Sequence, residues 1–321
     1  MITLEDVESA ARRIGGRVRR TPLMEVAPQE FAPTAWRAWL KLELLQHTGS
    51  FKARGAFNHL LTATDRGLLT DAGVVAASGG NAGLAFAYAA AQLGTRAEVF
   101  VPETAPAVKV AKLRELGADV VQVGVKYNDA YEAATKRAAD SGALFCHAYD
   151  QPAVGAGQGT IGLELWEQTA GELDTVLVAV GGGGLMAGVA TALAGRARVV
   201  AVEPENAPTL HAALAADGPV TVPVSGVAAD SLGASRIGDI AFEAARATGA
   251  EPVLVTDEAI VRARRAVWDR YRLAVEHGTA AAAAALLSGA YRPAPGERVA
   301  VLLCGANTDP SDLTGAVEPT H

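Results

Sequence analysis

The chain has 321 residues, of which 50% are hydrophobic and 20% are charged, so it can build one large or two medium-sized domains with buried cores. A formal net charge of −7 excludes the strongly basic surface that nucleic acids and anionic membranes attract. Because there is no apolar signal core, no bilayer-long apolar run and no disulfide framework in only two cysteines, we expect a cytoplasmic protein without a membrane or nucleic-acid partner.

Short apolar segments alternate with helical segments along most of the chain. Continuous apolar strands that alternate with helices are typical of parallel sheets covered on both faces, so the pattern predicts an α/β fold. The strands are predicted at 73–78, 97–103, 119–125, 174–180, 197–204 and 297–304, and the helices at 79–94, 110–118, 128–142, 181–195 and 206–218.

These segments form two groups, which predicts two doubly wound parallel-sheet domains. The smaller domain is expected to span residues 54–148, and the larger one residues 1–53 together with 149–321. Between the groups, the Gly-, Pro- and Ala-rich segment "AYDQPAVGAGQGT" (148–160) would serve as a linker, or its Tyr149 and Asp150 could border the active-site cleft. A helix is expected to follow it at 161–171. In such folds ligands bind at the carboxyl ends of the strands, so the site is expected in the cleft between the domains.

The segment "VGGGGLMAG" (180–188) links a predicted strand to a predicted helix. Consecutive glycines followed by a helix N-terminus suit a bound phosphate, because the backbone N–H groups can approach it closely. Gly182, Gly184 and Ala187 also match a relaxed dinucleotide fingerprint, with Glu203 at the end of the next strand. An NAD-dependent dehydrogenase therefore remains an alternative, whereas a nucleotide P-loop is excluded because no Gly-Lys-Ser/Thr follows.

Two further segments allow both a functional and a structural interpretation. In "SGGNAG" (78–83), the backbone amides of residues 79–82 could hold a carboxylate, or Ser78 or Asn81 could simply cap the following helix. In "TGSFKARGA" (48–56), Lys52 could be a chemically active amine made less basic by apolar neighbours, or a surface lysine with a buried stem.

Six segments in order resemble the serine/threonine dehydratase family, a group of pyridoxal-phosphate enzymes with the tryptophan-synthase-β fold. They are "KLELLQHTGSFKARGA", "ASGGNAGLAFAYAA", "GAGQGTIGLEL", "VGGGGLMAG", "AVEPENA" and "LLCGAN". The resemblance spans residues 20–308. It implies pyridoxal 5'-phosphate as cofactor, a homodimer, and β-elimination of L-threonine and/or L-serine to a 2-oxo acid and ammonia.

The resemblance also implies roles for individual residues. Lys52 would form the Schiff base with the cofactor and act as the catalytic base. Cys304 would lie at the ring nitrogen, where a thiol does not force protonation and thereby favours elimination over transamination. The other cofactor contacts would be Phe51, Asn81, Gly181, Gly182, Gly183, Gly184, Leu185 and Gly233. The substrate carboxylate would bind Ser78, Gly79 and Ala82.

Three departures from the family pattern bear on activity. Gly79 stands where serine racemases carry a second serine, so racemisation is disfavoured. Thr209 stands where metal-dependent relatives have an acid, so a cation at Glu203 is doubtful, and Glu203 could cap its strand instead. His277 replaces a frequent proline, which leaves substrate identity open. Hydroxyaspartate dehydratases, β-replacement synthases of the same fold, and a catalytically idle binding protein remain alternatives.

Overall fold

The computed structural model describes residues 1–30 and 37–313. Within these residues the strands are β1 (Leu23–Val26), β2 (Arg37–Lys41), β3 (Val74–Ala77), β4 (Ala97–Val101), β5 (Asp119–Gln122), β6 (Leu144–Cys146), β7 (Thr175–Ala179), β8 (Arg198–Pro204), β9 (Glu251–Val255) and β10 (Arg298–Leu302). The helices are α1 (Leu4–Ile14), α2 (Lys52–Asp65), α3 (Asn81–Gln92), α4 (Ala107–Glu115), α5 (Tyr127–Ser141), α6 (Pro152–Gln168), α7 (Gly184–Leu193), α8 (Thr209–Ala215), α9 (Asp239–Thr248), α10 (Asp257–Tyr271) and α11 (His277–Leu287).

The strands form two sheets. The smaller sheet has the order β5-β4-β3-β6, and all of its pairs are parallel. The larger sheet has the order β1-β2-β10-β7-β8-β9, in which only the β1–β2 pair at the edge is antiparallel. The predicted α/β fold with two parallel sheets is therefore confirmed, with one antiparallel edge strand added.

The strands of each sheet centre are apolar on both faces, as expected for sheets that helices cover. All residues of β3, β4 and β7 are buried, and residues 278–286 of the alanine-rich α11 are buried in the core of the larger sheet. Each sheet has its own buried clusters on its two faces. The smaller sheet lies entirely within residues 54–148, and the exact domain boundaries stay a prediction.

The expected linker at 148–160 is wrong for most of its length, because α6 already begins at Pro152. Its glycines are needed for close helix contacts rather than for a flexible connection. A Cβ atom on Gly157 would lie 2.7 Å from the carbonyl oxygen of Arg54 in α2, and one on Gly159 would lie 2.8 Å from that of Gly188 in α7. Glycine therefore allows α6 to lie against both neighbouring helices.

A buried ion-pair network fixes the start of α2. Arg54 donates to both oxygens of Glu43 at 2.7 and 2.8 Å, and to Glu164 at 2.7 Å. Lys41, which is fully buried at the end of β2, donates to the same Glu164 at 2.6 Å. Removing one member would leave a buried charge unpaired, which is strongly destabilising. The network therefore anchors α2 close to its first residue, Lys52.

Candidate active site

Lys52 lies where chain segments from both sheets meet. The N–H of the preceding Phe51 donates to the carbonyl oxygen of Cys304 at 3.0 Å, next to the carboxyl end of β10. The Nζ atom of Lys52 donates to the carbonyl oxygen of Ala148 at 2.8 Å and lies 5.0 Å from the centroid of the Phe51 ring. Burial lowers the pKa of Lys52 to about 8, although Cys304 and Glu276 oppose the shift. The amine can therefore lose its proton far more readily than a surface lysine.

The glycine loop, residues Gly181–Leu185, joins β7 to α7. Gly183 has a φ of 83° in the left-handed region, which favours glycine. The carbonyl oxygen of Gly181 accepts from the hydroxyl of Thr209 at 2.6 Å, and that of Gly182 accepts from the N–H of Gly238 at 3.1 Å. Because both carbonyls have partners elsewhere and the first N–H groups of α7 have no carbonyl within the helix, the loop is suited to bind an anion.

The second loop, Ser78–Gly83, does not hold a side-chain cap. The N-cap residue of α3 is Gly80, and no side chain caps the helix. The Nδ2 group of Asn81 instead donates to the two carboxylate oxygens of Glu276 at 2.9 and 3.0 Å. Its Oδ1 atom accepts from the Nδ2 group of Asn307 at 2.6 Å. The capping interpretation is therefore wrong for Asn81, whose side chain joins the smaller sheet to loops of the larger one.

Glu276 and Asn307 are residues of the site that sequence reasoning missed. Glu276 is buried, and burial raises the pKa of its carboxyl group, while the hydrogen bonds from Asn81 and Asn307 oppose that shift. Asn307 donates its backbone N–H to Glu276 at 2.8 Å. An acidic residue before a helix is ordinarily a favourable charge at the helix N-terminus, so no local signal marked Glu276 as part of a cleft.

Cys304 is buried at the end of β10, beside the hydroxyl of Thr279 at 3.2 Å. That hydroxyl donates to the carbonyl oxygen of Gly305 at 2.9 Å, so its single hydrogen is used there and the thiol is the donor to Thr279. Burial raises the pKa of Cys304 to about 12. The residue is therefore a neutral thiol.

Tyr149 and Asp150 follow Ala148 and reach the larger sheet. A Cβ atom on Gly182 would lie 2.5 Å from the Tyr149 ring, so that ring lies directly against the glycine loop. Asp150 accepts from the first N–H groups of α9, at Asp239 and Ile240, both at 3.2 Å. Tyr149 therefore borders the site, whereas Asp150 caps a helix.

The structure also shows the surroundings of Gly233 and Glu203, the two remaining candidate site residues. It is Leu232, one position before Gly233, that lies against the glycine loop, since a Cβ atom on Gly181 would be 3.1 Å from its Cα atom. Glu203 uses both carboxylate oxygens at the start of α8, accepting from Leu210 at 2.7 Å and from His211 at 2.9 Å. No cluster of three potential metal ligands occurs within residues 1–30 and 37–313.

A family model described as "pyridoxal-phosphate dependent enzyme" matches residues 14–305, so the chain belongs to this family. It is 39% identical over 314 residues to a phenylserine dehydratase from Ralstonia pickettii, covering 96% of this chain and 94% of that protein. It is also 39% identical to an L-threonine ammonia-lyase from Geobacter sulfurreducens, covering 97% of this chain and 77% of that one. The crystal structure of a threonine deaminase from T.th. superposes with a TM-score of 0.87 at 37% identity, covering 96% and 99% of the two chains.

The family membership establishes an enzyme whose cofactor is pyridoxal 5'-phosphate, and the alternative of an NAD-dependent dehydrogenase is wrong. The site fits this cofactor, because the glycine loop offers backbone N–H groups for a phosphate and Lys52 offers an amine of lowered pKa for an aldehyde. Glu203, which would bind a ribose in the dinucleotide interpretation, is committed to α8.

In the described part of the chain no helix is both long and apolar enough to cross a membrane.

Proposed function

We propose that this protein catalyses β-elimination of water from a β-hydroxy amino acid, L-threonine and/or L-serine, to give a 2-oxo acid and ammonia. The observation that carries the proposal is the Lys52 amine, which is held at the carbonyl of Ala148 and has a pKa lowered to about 8. Relatives named as an L-threonine ammonia-lyase and a threonine deaminase, at 39% and 37% identity, support the reaction and threonine as a substrate.

The residues proposed to hold the cofactor surround Lys52 on several sides. Lys52 would attach it covalently, and Asn81 would donate a hydrogen bond to the ring's 3-hydroxyl oxygen. The phosphate would bind the glycine loop, and Cys304 would face the ring nitrogen. Of the remaining proposed contacts, Phe51 would flank the ring face and Gly233 would line the ring side through its segment, in which Leu232 adjoins Gly181.

Lys52 is also proposed as the catalytic base, once the amino group of the substrate has displaced it from the cofactor and its amine is free. When bound, pyridoxal phosphate withdraws electrons from the substrate α-carbon and so makes its hydrogen acidic. An amine with a pKa of about 8 is much better able to accept that proton near neutral pH than an ordinary lysine, which is almost entirely protonated. Glu276 and Cys304 are close enough to influence the Lys52 amine electrostatically.

The neutral thiol of Cys304 favours elimination in this proposal. A carboxylate at the ring nitrogen would stabilise a positive charge there, but Cys304 stays protonated because burial raises its pKa to about 12 and because it donates to Thr279. Cys304 would therefore not stabilise a positive charge at the ring nitrogen, which would favour loss of the β-hydroxyl over transamination.

The start of α3 is proposed to bind the substrate carboxylate through Ser78, Gly79 and Ala82. The first N–H groups of a helix attract anions, and no side chain caps this helix within the described structure. Gly79 offers no side-chain proton donor on the ring face opposite Lys52. Reprotonation from that face then has no evident agent, which supports elimination from L-amino acids over racemisation.

An aryl β-hydroxy amino acid is a second candidate substrate, and an aromatic cluster beside Lys52 favours it. The ring of His147 contacts Tyr149 at 4.7 Å and Tyr131 at 6.0 Å between centroids, and His147 and Tyr149 flank the Ala148 carbonyl that accepts from Lys52. The relative named as a phenylserine dehydratase, at 39% identity, supports the same substrate class. Among the described residues, no contact indicates a binding group for the side chain of hydroxyaspartate.

The proposal is tested by assaying 2-oxo acid release from L-serine, L-threonine and phenylserine with the purified holoenzyme and with Lys52→Ala. We expect product from at least one of the three with the wild type and a loss of at least about 10³-fold in Lys52→Ala. The matched control Lys136→Ala changes an exposed lysine that pairs with Asp140 on α5, outside the proposed chemistry, and is expected to retain turnover. Absence of product from all three would refute the proposed function.

We further propose that the protein is a cytoplasmic homodimer with domain boundaries near residues 54 and 148. The family resemblance supports the dimer, and the two free, buried cysteines Cys146 and Cys304 fit a reducing compartment. Light scattering on the purified protein measures the mass in solution. A value of twice the 32.9 kDa chain mass is expected, and a monomer would contradict the dimer.

A further inference from the structure

Asn307 has a side-chain amide whose orientation its neighbours dictate. Its Nδ2 group donates to the backbone carbonyl of Thr48 at 2.7 Å, and its Oδ1 atom accepts from the Nζ atom of Lys112 at 2.7 Å. A carbonyl oxygen only accepts and an ammonium group only donates, so the reversed amide would meet two repulsive contacts. The orientation of Asn307 therefore follows from groups whose chemistry is unambiguous.

Asn307 and Glu276 together fix the amide of Asn81. The Oδ1 atom of Asn81 accepts from Asn307 at 2.6 Å, and its Nδ2 group donates to the carboxylate oxygens of Glu276 at 2.9 and 3.0 Å. Reversing Asn81 would place an oxygen against a carboxylate and two NH₂ groups against each other. Among the described residues the Nδ2 group has Glu276 as its acceptor, and one hydrogen shared between the two carboxylate oxygens would leave the second to donate to another group.

The contact between Glu276 and Asn81 depends on glycine at position 305. A Cβ atom there would lie 2.7 Å from the Oε1 atom of Glu276 and 3.3 Å from the Nδ2 atom of Asn81. The N–H of Glu276 donates to the carbonyl oxygen of Gly305 at 3.2 Å, which ties the start of α11 to the loop after β10. The chain thus leaves space at this point for a carboxylate to reach an amide from the other sheet.

We propose that Glu276 is a positioning residue of the cofactor site, which orients the Asn81 amide so that an N–H, and not the carbonyl, faces the cofactor. The inference rests on the proposed function, in which Asn81 donates to the oxygen of the ring's 3-hydroxyl. Without Glu276 only the hydrogen bond from Asn307 still distinguishes the two ends of the Asn81 amide, so the flipped amide becomes easier to reach. A flipped amide would present an acceptor to an oxygen and weaken cofactor binding.

The test is cofactor affinity, measured by titrating the apoprotein with pyridoxal 5'-phosphate and following tryptophan fluorescence and the visible band. Glu276→Ala is expected to weaken binding about tenfold and to shift the absorption maximum of the bound cofactor. Glu276→Gln is expected to restore most of the affinity and the absorption maximum, because its carbonyl can still accept from Asn81. Gly305→Ala, whose Cβ would separate the two groups, is expected to resemble Glu276→Ala.

A double-mutant cycle separates positioning from a general loss of stability. If Glu276 acts through Asn81, the variant carrying both Asn81→Ala and Glu276→Ala binds as weakly as Asn81→Ala alone. Glu98→Ala is the matched control, a buried glutamate paired with Arg137 away from the site, and it is expected to keep wild-type affinity. Thermal melting of each variant confirms that it is folded.

Four results would overturn the inference. They are wild-type affinity in Glu276→Ala, independent (multiplied) losses of affinity in the double variant, a Glu276→Gln protein as weak as Glu276→Ala, and a Gly305→Ala protein with full affinity. The failure of the proposed function looks different, because the wild-type protein would then bind the cofactor but release no 2-oxo acid from L-serine, L-threonine or phenylserine. Wild-type binding that Glu276→Ala leaves unchanged overturns only the role of Glu276.

Discussion

The two glycine-containing loops of the site look alike in sequence but differ in what their glycines do. In the glycine loop, a Cβ atom on Gly183 would lie 2.5 Å from that of Ala241, and one on Gly184 would lie 2.6 Å from the carbonyl oxygen of Tyr149. In the Ser78–Gly83 loop, a Cβ atom on Gly79 would come no closer than 3.4 Å to Val101, and one on Gly80 would have nothing nearer than 4.0 Å.

This difference shows that the glycine loop is built for its backbone, whereas the Ser78–Gly83 loop requires glycine only at Gly83, where a Cβ atom would overlap the carbonyl oxygen of Ser78, and is open at Gly79 and Gly80. The glycine loop cannot accept a methyl group, so its contribution is a set of backbone N–H groups in a fixed arrangement. The Ser78–Gly83 loop has room for larger residues at Gly79 and Gly80, and its chemistry is carried by Asn81 and the partners of that side chain. The two loops should therefore respond differently to the same substitution.

The largest difference is expected when one glycine of each loop is changed to alanine. Gly183→Ala places a side chain at a φ of 83° against Ala241 and Ile237, which we expect to destabilise the fold by about 3 kcal/mol and to abolish tight cofactor binding. Gly80→Ala, the matched control, is expected to keep cofactor affinity within about twofold, since nothing lies closer than 4.0 Å. Equal losses in the two variants would refute the distinction between the loops.

A smaller effect, on the stability of the apoprotein and its dependence on pH, is expected when Lys52 is substituted. Lys52 lies in neither loop. Burial holds its folded-state pKa near 8 instead of 10.5, so between these values the unfolded chain binds more protons and the stability of the apoprotein rises with pH. Lys52→Met removes this penalty and is expected to raise the Tm by about 2 °C near neutral pH. This gain in Tm over the wild type should shrink as the pH rises above about 8.

Scanning calorimetry of the two apoproteins across this range checks the Lys52 prediction. A gain that stays constant with pH would show that Lys52 ionises as an ordinary lysine in the folded state, and would remove the support for its role as a base. Lys126→Met is a suitable control, because Lys126 is an exposed lysine at the start of α5. Its substitution is expected to leave the pH dependence of stability unchanged.

The smallest effect on stability is expected for Gly79→Ser. The 3.4 Å distance to Val101 is an ordinary contact, so the free energy of unfolding should change by no more than about 0.5 kcal/mol. The new hydroxyl would supply the proton donor that the wild type lacks opposite Lys52. We expect D-serine formation from L-serine to exceed the wild-type level, as measured by chiral chromatography. An unchanged level would contradict the proposed role of Gly79 in disfavouring racemisation.

The sequence predicted the sheet centres and the glycine loop because their signals are local. Strands such as β7 are continuous apolar runs, and four glycines before a helix point to an anion without further context. Strand β2 was missed because it contains Arg37 and Lys41, and Lys41 is buried only because Glu164, 123 residues away, pairs with it. The edge strand β9 was also missed, because it contains Pro252, which weakens any local strand signal.

The site was predicted as a set of segments but not as a network. Lys52, Asn81 and Cys304 stood in recognisable segments, whereas Glu276 gained its meaning only from Asn81, 195 residues away. The linker expected before α6 is a second case in which the local sequence did not reveal a distant neighbour. Glycines that look flexible in a sequence allow close helix packing when a neighbouring helix lies within reach, and the sequence does not reveal that neighbour.

The most direct test of the central claim is to locate the covalently held cofactor in the holoenzyme. Borohydride reduction would trap it on its lysine, and peptide mapping by mass spectrometry would identify the modified residue. We expect the added mass on Lys52, in the peptide that begins after Lys41 and contains "HTGSFKAR". Modification of another lysine such as Lys41 or Lys109, or of none, would contradict it.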